Sequence, residues 1–207
     1  MIKYRLVYFN AKRRAELIRF IFAYAGQEYE DFRIEESQWP IYKHRTLFGK
    51  LPVLEISDDI ESIQLAQSLS IARYLAEKFN LVGVNEIEKA RADMISEQLS
   101  DILEIFYTIK NEKNTELRAE KERFFYKETL PFYASMFERL FEIQKTLHVA
   151  GNTLTYADLA FVVFWDHFGE KKKKFFELCV VSKVMYEHVN NLPAIVEWKN
   201  MRPMTIF

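Results

Sequence analysis

Between Phe48 and Glu77 the chain reads FGKLPVLEISDDIESIQLAQSLSIARYLAE, and no other stretch limits its possible folds as much. Leu51-Pro52 stands at the start of the apolar run Val53-Leu54-Glu55-Ile56. A proline there removes a ladder donor and favours a cis peptide bond. The backbone groups of Leu51 are then left for an extended ligand instead of the sheet. A second strand pattern over 60–65 follows Asp58-Asp59, which predicts a hairpin. Gln67-Ser68 then opens an amphipathic helix carrying Ile71, Ala72, Tyr74 and Leu75. A small polar residue at a helix start offers a hydroxyl and free N–H groups to a carboxylate. The hairpin, the helix and the open turn together predict a pocket for a short, charged peptide.

Upstream, residues 3–9 (KYRLVYF) alternate as a strand does. Residues 13–25 place Leu17, Ile18, Ile21, Phe22 and Ala25 on one helical face, with Gly26 as the stop. Residues 29–34 form a weaker strand pattern, and 35–47, with Trp39, Pro40 and mixed charges, read as irregular. The order β-α-β, then β-β-α, is that of a thioredoxin-like domain. From Leu81 the pattern changes: LVGVN reads as a linker, and no strand follows. Residues 87–110 and 116–146 are long helical patterns with charged outer faces. Thr155-x-x-Asp158 is a capping-box start before LAFVVFWDHF. That helix is apolar nearly all round, which predicts the buried centre of a second domain. Residues 175–189 and 194–201 give two more helices, the second with Pro193 at its start. The fold class is therefore an α/β thioredoxin-like N-terminal domain over 1–79, a linker over 80–86, and an all-α domain over 87–207.

Composition narrows the functions. A net charge of −1 gives no electrostatic support to a nucleic-acid role. The single cysteine, Cys179, excludes an internal disulfide and fits a reducing compartment. MIKYRLVYF lacks the apolar core of a signal peptide, and the longest apolar run is far short of the roughly 20 residues a membrane span needs. The expectation is a cytoplasmic protein with no membrane or nucleic-acid partner. His44, His148, His167 and His188 lack metal-ligand spacing. His167 beside Asp166 reads as a satisfied helix-end histidine, and the lysine run 171–174, balanced by Glu170 and Glu177, as a solvated loop.

Tyr8 in YFN, Arg14-Ala15-Glu16, Trp39-Pro40, FGKLPVLE, LAQSLSIARYLAE and the terminal Arg202-Pro203 together resemble the cytosolic glutathione S-transferases, most closely the sigma class. That class includes prostaglandin D synthases of the haematopoietic type and invertebrate detoxifying enzymes. The resemblance covers the whole chain and is strongest over residues 4–79. It implies glutathione as co-substrate, no required metal, a homodimer, and conjugation of glutathione to small hydrophobic electrophiles. Position by position, it implies that Tyr8 donates a hydrogen bond to the glutathione sulfur and that the Arg14 charge favours the thiolate. It implies that Trp39, Lys43 and Lys50 hold the glycyl carboxylate. It implies further that Leu51 pairs its backbone with the cysteinyl unit and that Pro52 supplies the cis turn. The resemblance likewise implies that Gln67 and Ser68 take the γ-glutamyl group and that Asp101 reaches the glutamyl amine of the glutathione bound to the other subunit.

The chain departs from the family in four places. Arg13 stands where a glycine is usual, which is expected to narrow the electrophile site or to favour anionic electrophiles. The turn over 57–63 is long. The segment Phe106-Tyr107-Thr108 lacks the tryptophan of the prostaglandin synthases. The acidic cluster tied to divalent cations in some relatives is reduced to Glu97, Ser100 and Asp101, so no tight metal is expected. The electrophile is assigned to Phe9, Arg13, Leu103, Tyr107 and Phe207. Two alternatives stay open: glutathione-dependent isomerisation of a prostaglandin endoperoxide, and a non-catalytic carrier of haem or other hydrophobic ligands or a crystallin-like structural protein.

Overall fold

The computed structural model describes residues 2–205 and divides into two compact units. One runs from the N-terminal region to Val82 and takes in the segment from Asn191 onward; the other is Gly83–Asn190.

The first unit contains β1 (Lys3–Phe9), α1 (Glu16–Ala25), β2 (Glu30–Ile34), α2 (Trp39–Lys43), β3 (Val53–Ser57), β4 (Ser62–Ala66) and α3 (Ser68–Lys78). The sheet order is β2-β1-β3-β4, with β1 parallel to β2 and the other two pairings antiparallel. This is the thioredoxin-like arrangement that the order of sequence patterns predicts. Alternation along β1 buries Tyr4, Leu6 and Tyr8 on one side. Ile18, Ile21 and Phe22 of α1 and Ile71, Leu75 and Ala76 of α3 are fully buried, and the two helices pack on each other. Each such large apolar side chain contributes about 1.5–3 kcal/mol by leaving water. Gly26 ends α1 with φ +62°, a left-handed backbone that glycine adopts without strain.

Residues 35–47 are more ordered than their composition suggests. A 3-10 turn, Glu36–Gln38, leads into α2 through a capping box in which the Glu35 N–H donates to Gln38 Oε1 at 2.9 Å. Pro40 lies in the first turn of α2, where its missing N–H costs nothing. The long turn between β3 and β4 is closed by Asp58, whose Oδ1 accepts from the N–H groups of Ile60 and Glu61 at 2.8 and 2.9 Å.

The second unit is helical: α4 (Glu86–Lys110), α5 (Thr115–Phe124), α6 (Leu130–Gln144), α7 (Tyr156–Asp166), α8 (Lys172–Phe176) and α9 (Val180–Asn190). Every residue of α7 from Tyr156 to Trp165 is buried. Its capping box is formed, and Asp158 accepts from the Thr155 N–H at 2.7 Å and from the Val149 N–H at 2.9 Å. The pattern over 116–146 is not one helix. A π-helical turn, Phe125–Thr129, separates α5 from α6, just before Pro131, which has no N–H to give. The pattern over 175–189 is likewise broken. The chain leaves the helix after Phe176, and α9 restarts with the N–H groups of Val181 and Ser182 donating to buried Glu138 at 2.7 and 2.8 Å.

The helix α10 (Pro193–Met201) groups by its contacts with the first unit. The reason is a polar anchor: Trp198 Nε1 and Arg202 Nη1 both donate to the buried carboxylate of Glu16, at 3.0 and 2.6 Å.

Candidate active site

The site begins where β1 ends. Tyr8 is only 5% exposed, and the chain after it turns sharply. The Ala11 N–H donates to the Phe9 carbonyl at 2.7 Å and the Asn10 N–H to the Ile34 carbonyl at 3.2 Å. Arg13 then adopts φ +33°, a region that side chains other than glycine rarely enter. The 3-10 turn Arg13–Ala15 brings the Arg14 N–H to the Tyr8 phenol oxygen, to which it donates. Burial raises the Tyr8 pKa above the ordinary tyrosine value; the Arg14 N–H and the charges of Arg13, Arg14 and Arg19 oppose that rise without cancelling it. Tyr8 is therefore a protonated phenol at neutral pH. Its oxygen accepts from the Arg14 amide, so its own proton remains available for an acceptor.

Beside this turn lies a cavity of about 310 Å³. Six of the residues assigned to glutathione line it: Arg14, Lys50, Leu51, Pro52, Gln67 and Ser68, together with Phe48 and Ala66. The Leu51-Pro52 bond is cis, as its position before β3 predicts. Gln67 is held at φ +71° at the N-terminus of α3, and no side chain caps that end of the helix. The first N–H groups of α3 and the Ser68 hydroxyl therefore form an unused donor set at the cavity wall. Trp39 and Lys43 do not line the cavity. The Trp39 ring meets Phe9 edge-on at 5.6 Å, and Phe9 meets Tyr8 at 5.8 Å, which ties α2 to the end of β1. Lys43 is exposed, with its stem along Gly49.

Three of the other assigned residues belong to the second unit. Asp101 is exposed and Leu103 half-buried on α4, in the second unit. Tyr107 is buried, its hydroxyl 2.6 Å from His167 Nε2, while His167 Nδ1 donates to the Val163 carbonyl at 2.7 Å. His167 is thus satisfied on both nitrogens, and Asp166 instead takes Lys172 and the Tyr186 hydroxyl. Phe207 lies outside the described residues. Among the described residues, no group of three or more His, Cys, Asp or Glu side chains could hold a metal ion. No described helix is long and apolar enough to cross a membrane.

Sequence reasoning passed over the buried polar hub beneath the site. Arg19 is fully buried and donates to the Ala11 carbonyl at 2.7 Å, to Asp31 at 3.1 Å and to Glu16 at 3.2 Å. Its signal was present: a lone charge inside LIRFIF on the apolar face of α1.

Residues 4–77 match the family description "Glutathione S-transferase, N-terminal domain", and residues 100–202 match "Glutathione S-transferase, C-terminal domain". The chain is 36% identical over 214 residues to mouse hematopoietic prostaglandin D synthase, covering 99% of each. The chain belongs to the glutathione S-transferase family. It is 32% identical over 203 residues to glutathione S-transferase S1 of Drosophila melanogaster, covering 98% of this chain and 80% of that one. Among solved structures it superposes on rat hPGDS complexed with a quinoline with a TM-score of 0.88 at 32% identity, covering 99% of this chain and 100% of that one. It superposes on monomeric Na-GST-3 of the hookworm Necator americanus with a TM-score of 0.87 at 34% identity, with the same coverage.

Proposed function

We propose that this transferase activates the thiol of glutathione and adds it to hydrophobic electrophiles, through a site built from Tyr8, Arg14, Trp39, Lys43, Lys50, Leu51, Pro52, Gln67 and Ser68. The observation that carries the proposal is the cavity that joins Arg14, Lys50, Leu51-Pro52 and Gln67-Ser68 beside the Tyr8 turn. A free thiol has a pKa of about 8.5 and is mostly protonated at neutral pH. A hydrogen bond donated to the sulfur favours the thiolate and lowers that pKa. Tyr8 suits this role because burial keeps its phenol protonated while its oxygen is already occupied by the Arg14 N–H. The open N-terminus of α3 and the Ser68 hydroxyl suit the γ-glutamyl carboxylate. Lys50, at the same cavity, supplies charge for the glycyl carboxylate, and Phe9 offers an apolar face beside Tyr8 for the electrophile.

Replacing Tyr8 by Phe removes only the hydroxyl. Initial rates of conjugation to a chlorodinitrobenzene-type electrophile should fall at least tenfold, about 1.4 kcal/mol of transition-state stabilisation, while the KM for glutathione stays near the wild-type value. Unchanged turnover would contradict the role given to Tyr8. The reading includes a cytoplasmic sigma-class enzyme acting as a homodimer, with Asp101 directed to the partner's glutathione. The high exposure of Phe48 (65%), at the cavity edge, supports a contact with a second subunit. A second reading is favoured by the identity to the mouse prostaglandin D synthase: the same thiolate isomerising a prostaglandin endoperoxide. Product analysis with that endoperoxide separates the two.

A further inference from the structure

Arg19 stands out among the groups that the proposed reaction leaves unused. It is a fully buried guanidinium on a helix whose neighbouring residues are apolar, and a charge in that position is costly unless its bonds serve the fold or the site. Its donors reach three separate parts of the first unit. Nε donates to Asp31 of β2 at 3.1 Å. Nη1 donates to Glu16, at the start of its own helix, at 3.2 Å, and to the Ala11 carbonyl at 2.7 Å. Ala11 belongs to the short connection between Tyr8 and the Arg13–Ala15 turn, and the Arg19 guanidinium carbon is 6.0 Å from the centre of the Tyr8 ring. Glu16 is anchored in turn by Trp198 and Arg202.

We propose that Arg19 is a positioning residue for the thiol-activating site: its fork grips the Ala11 carbonyl from beneath and so fixes the 10–14 connection that sets the Arg14 amide against the Tyr8 phenol. Asp31 and Glu16 hold the guanidinium in its plane, so that one flat group sets the path of the connection. A lysine in its place keeps the charge but not the fork. It cannot reach Asp31, Glu16 and the Ala11 carbonyl from one point. The direction of the electrostatics agrees, since the Arg19 charge is one of those that oppose the upward pull of burial on Tyr8. The donor set for the glutathione carboxylates, at α3 and Lys50, shares no bond with Arg19, so loss of the fork should change reactivity and spare affinity.

This inference rests on the transferase reading, and Arg19→Lys, Asp31→Asn and Tyr8→Phe measured side by side separate the two. For each, kcat and KM for glutathione are determined across pH with a chlorodinitrobenzene-type electrophile, and urea unfolding reports the folded fraction. For Arg19→Lys we expect kcat per folded enzyme to fall about tenfold, KM for glutathione to stay within about threefold, and the apparent thiol pKa to rise. Asp31→Asn, at a half-buried and more tolerant position, should show the same pattern with a two- to threefold loss. It carries the test if Arg19→Lys does not fold. A folded Arg19→Lys protein with wild-type kcat and thiol pKa overturns the proposal, as does an Asp31→Asn protein that loses stability alone. If Tyr8→Phe collapses while both other variants keep wild-type kinetics, the positioning role alone is wrong. If Tyr8→Phe itself matches wild type, the transferase reading of Tyr8 fails first.

Discussion

Arg13 allows the backbone of the active-site turn to be tested apart from its chemistry. Its φ of +33° is a conformation that costs a residue with a Cβ about 1–2 kcal/mol. Glycine escapes that cost but loses about 0.5–1 kcal/mol more chain entropy on folding than alanine. Arg13→Ala and Arg13→Gly remove the same guanidinium, so the difference between them isolates the backbone. At an ordinary helical site the alanine variant would be the more stable by about 0.5–1 kcal/mol. Here the balance reverses, and the glycine variant should be the more stable by about 0.5–1 kcal/mol. That corresponds to about 1–4 °C in Tm for a chain of this size. Urea unfolding of the two variants, compared by midpoint at equal slope, measures the difference directly. An alanine variant as stable as the glycine variant, or more so, refutes the claim that the turn is strained at residue 13.

Two further outcomes follow from buried groups outside the cavity. Burial raises the Glu16 pKa, but the charges of Arg19 and Arg202 outweigh it, so the carboxyl lies below its usual range. A depressed folded-state pKa gives stability that is complete above the unfolded value of about 4.3 and lost as pH falls through the folded value. Glu16→Gln should therefore cost about 3 kcal/mol near pH 7, and its deficit against wild type should shrink steadily below about pH 4. A deficit independent of pH contradicts the ion-pair account. Burial, with the Glu138 charge adding to it, pushes the Cys179 thiol up to about 11. At pH 8 its reaction with a thiol-directed disulfide reagent should then be slower by about a hundredfold or more in the folded protein than in urea, because the thiolate is the reactive form.

The parts of the fold that were legible in the sequence rest on local chemistry. The strand pattern of KYRLVYF, the Gly26 stop, Leu51-Pro52 before β3 and the Thr155–Asp158 box all act within a few residues of where they are written. The same holds for the cavity: Gln67-Ser68 and Leu51-Pro52 are short motifs, and the fold brings them together with Arg14. What the sequence concealed depends on distant partners. The break before α9 is stabilised by Glu138, more than forty positions upstream of the N–H groups it accepts from. The grouping of α10 with the first unit depends on Glu16 meeting Trp198 and Arg202, 182 and 186 positions away. No periodicity or propensity reports such pairs. Residues 35–47 were obscured for another reason: their charges hid a capping box that uses Glu35 and Gln38 instead of the usual serine or threonine.

The central claim is that the Tyr8 hydroxyl stabilises a glutathione thiolate in this site. The ultraviolet absorbance of the thiolate, followed as pH is raised with glutathione bound to wild type and to Tyr8→Phe, measures it without relying on any electrophile. The wild-type thiol pKa should lie at least one unit below the free value of about 8.5, returning towards that value in Tyr8→Phe. Identical titrations in the two proteins, or a wild-type value equal to that of free glutathione, would contradict it.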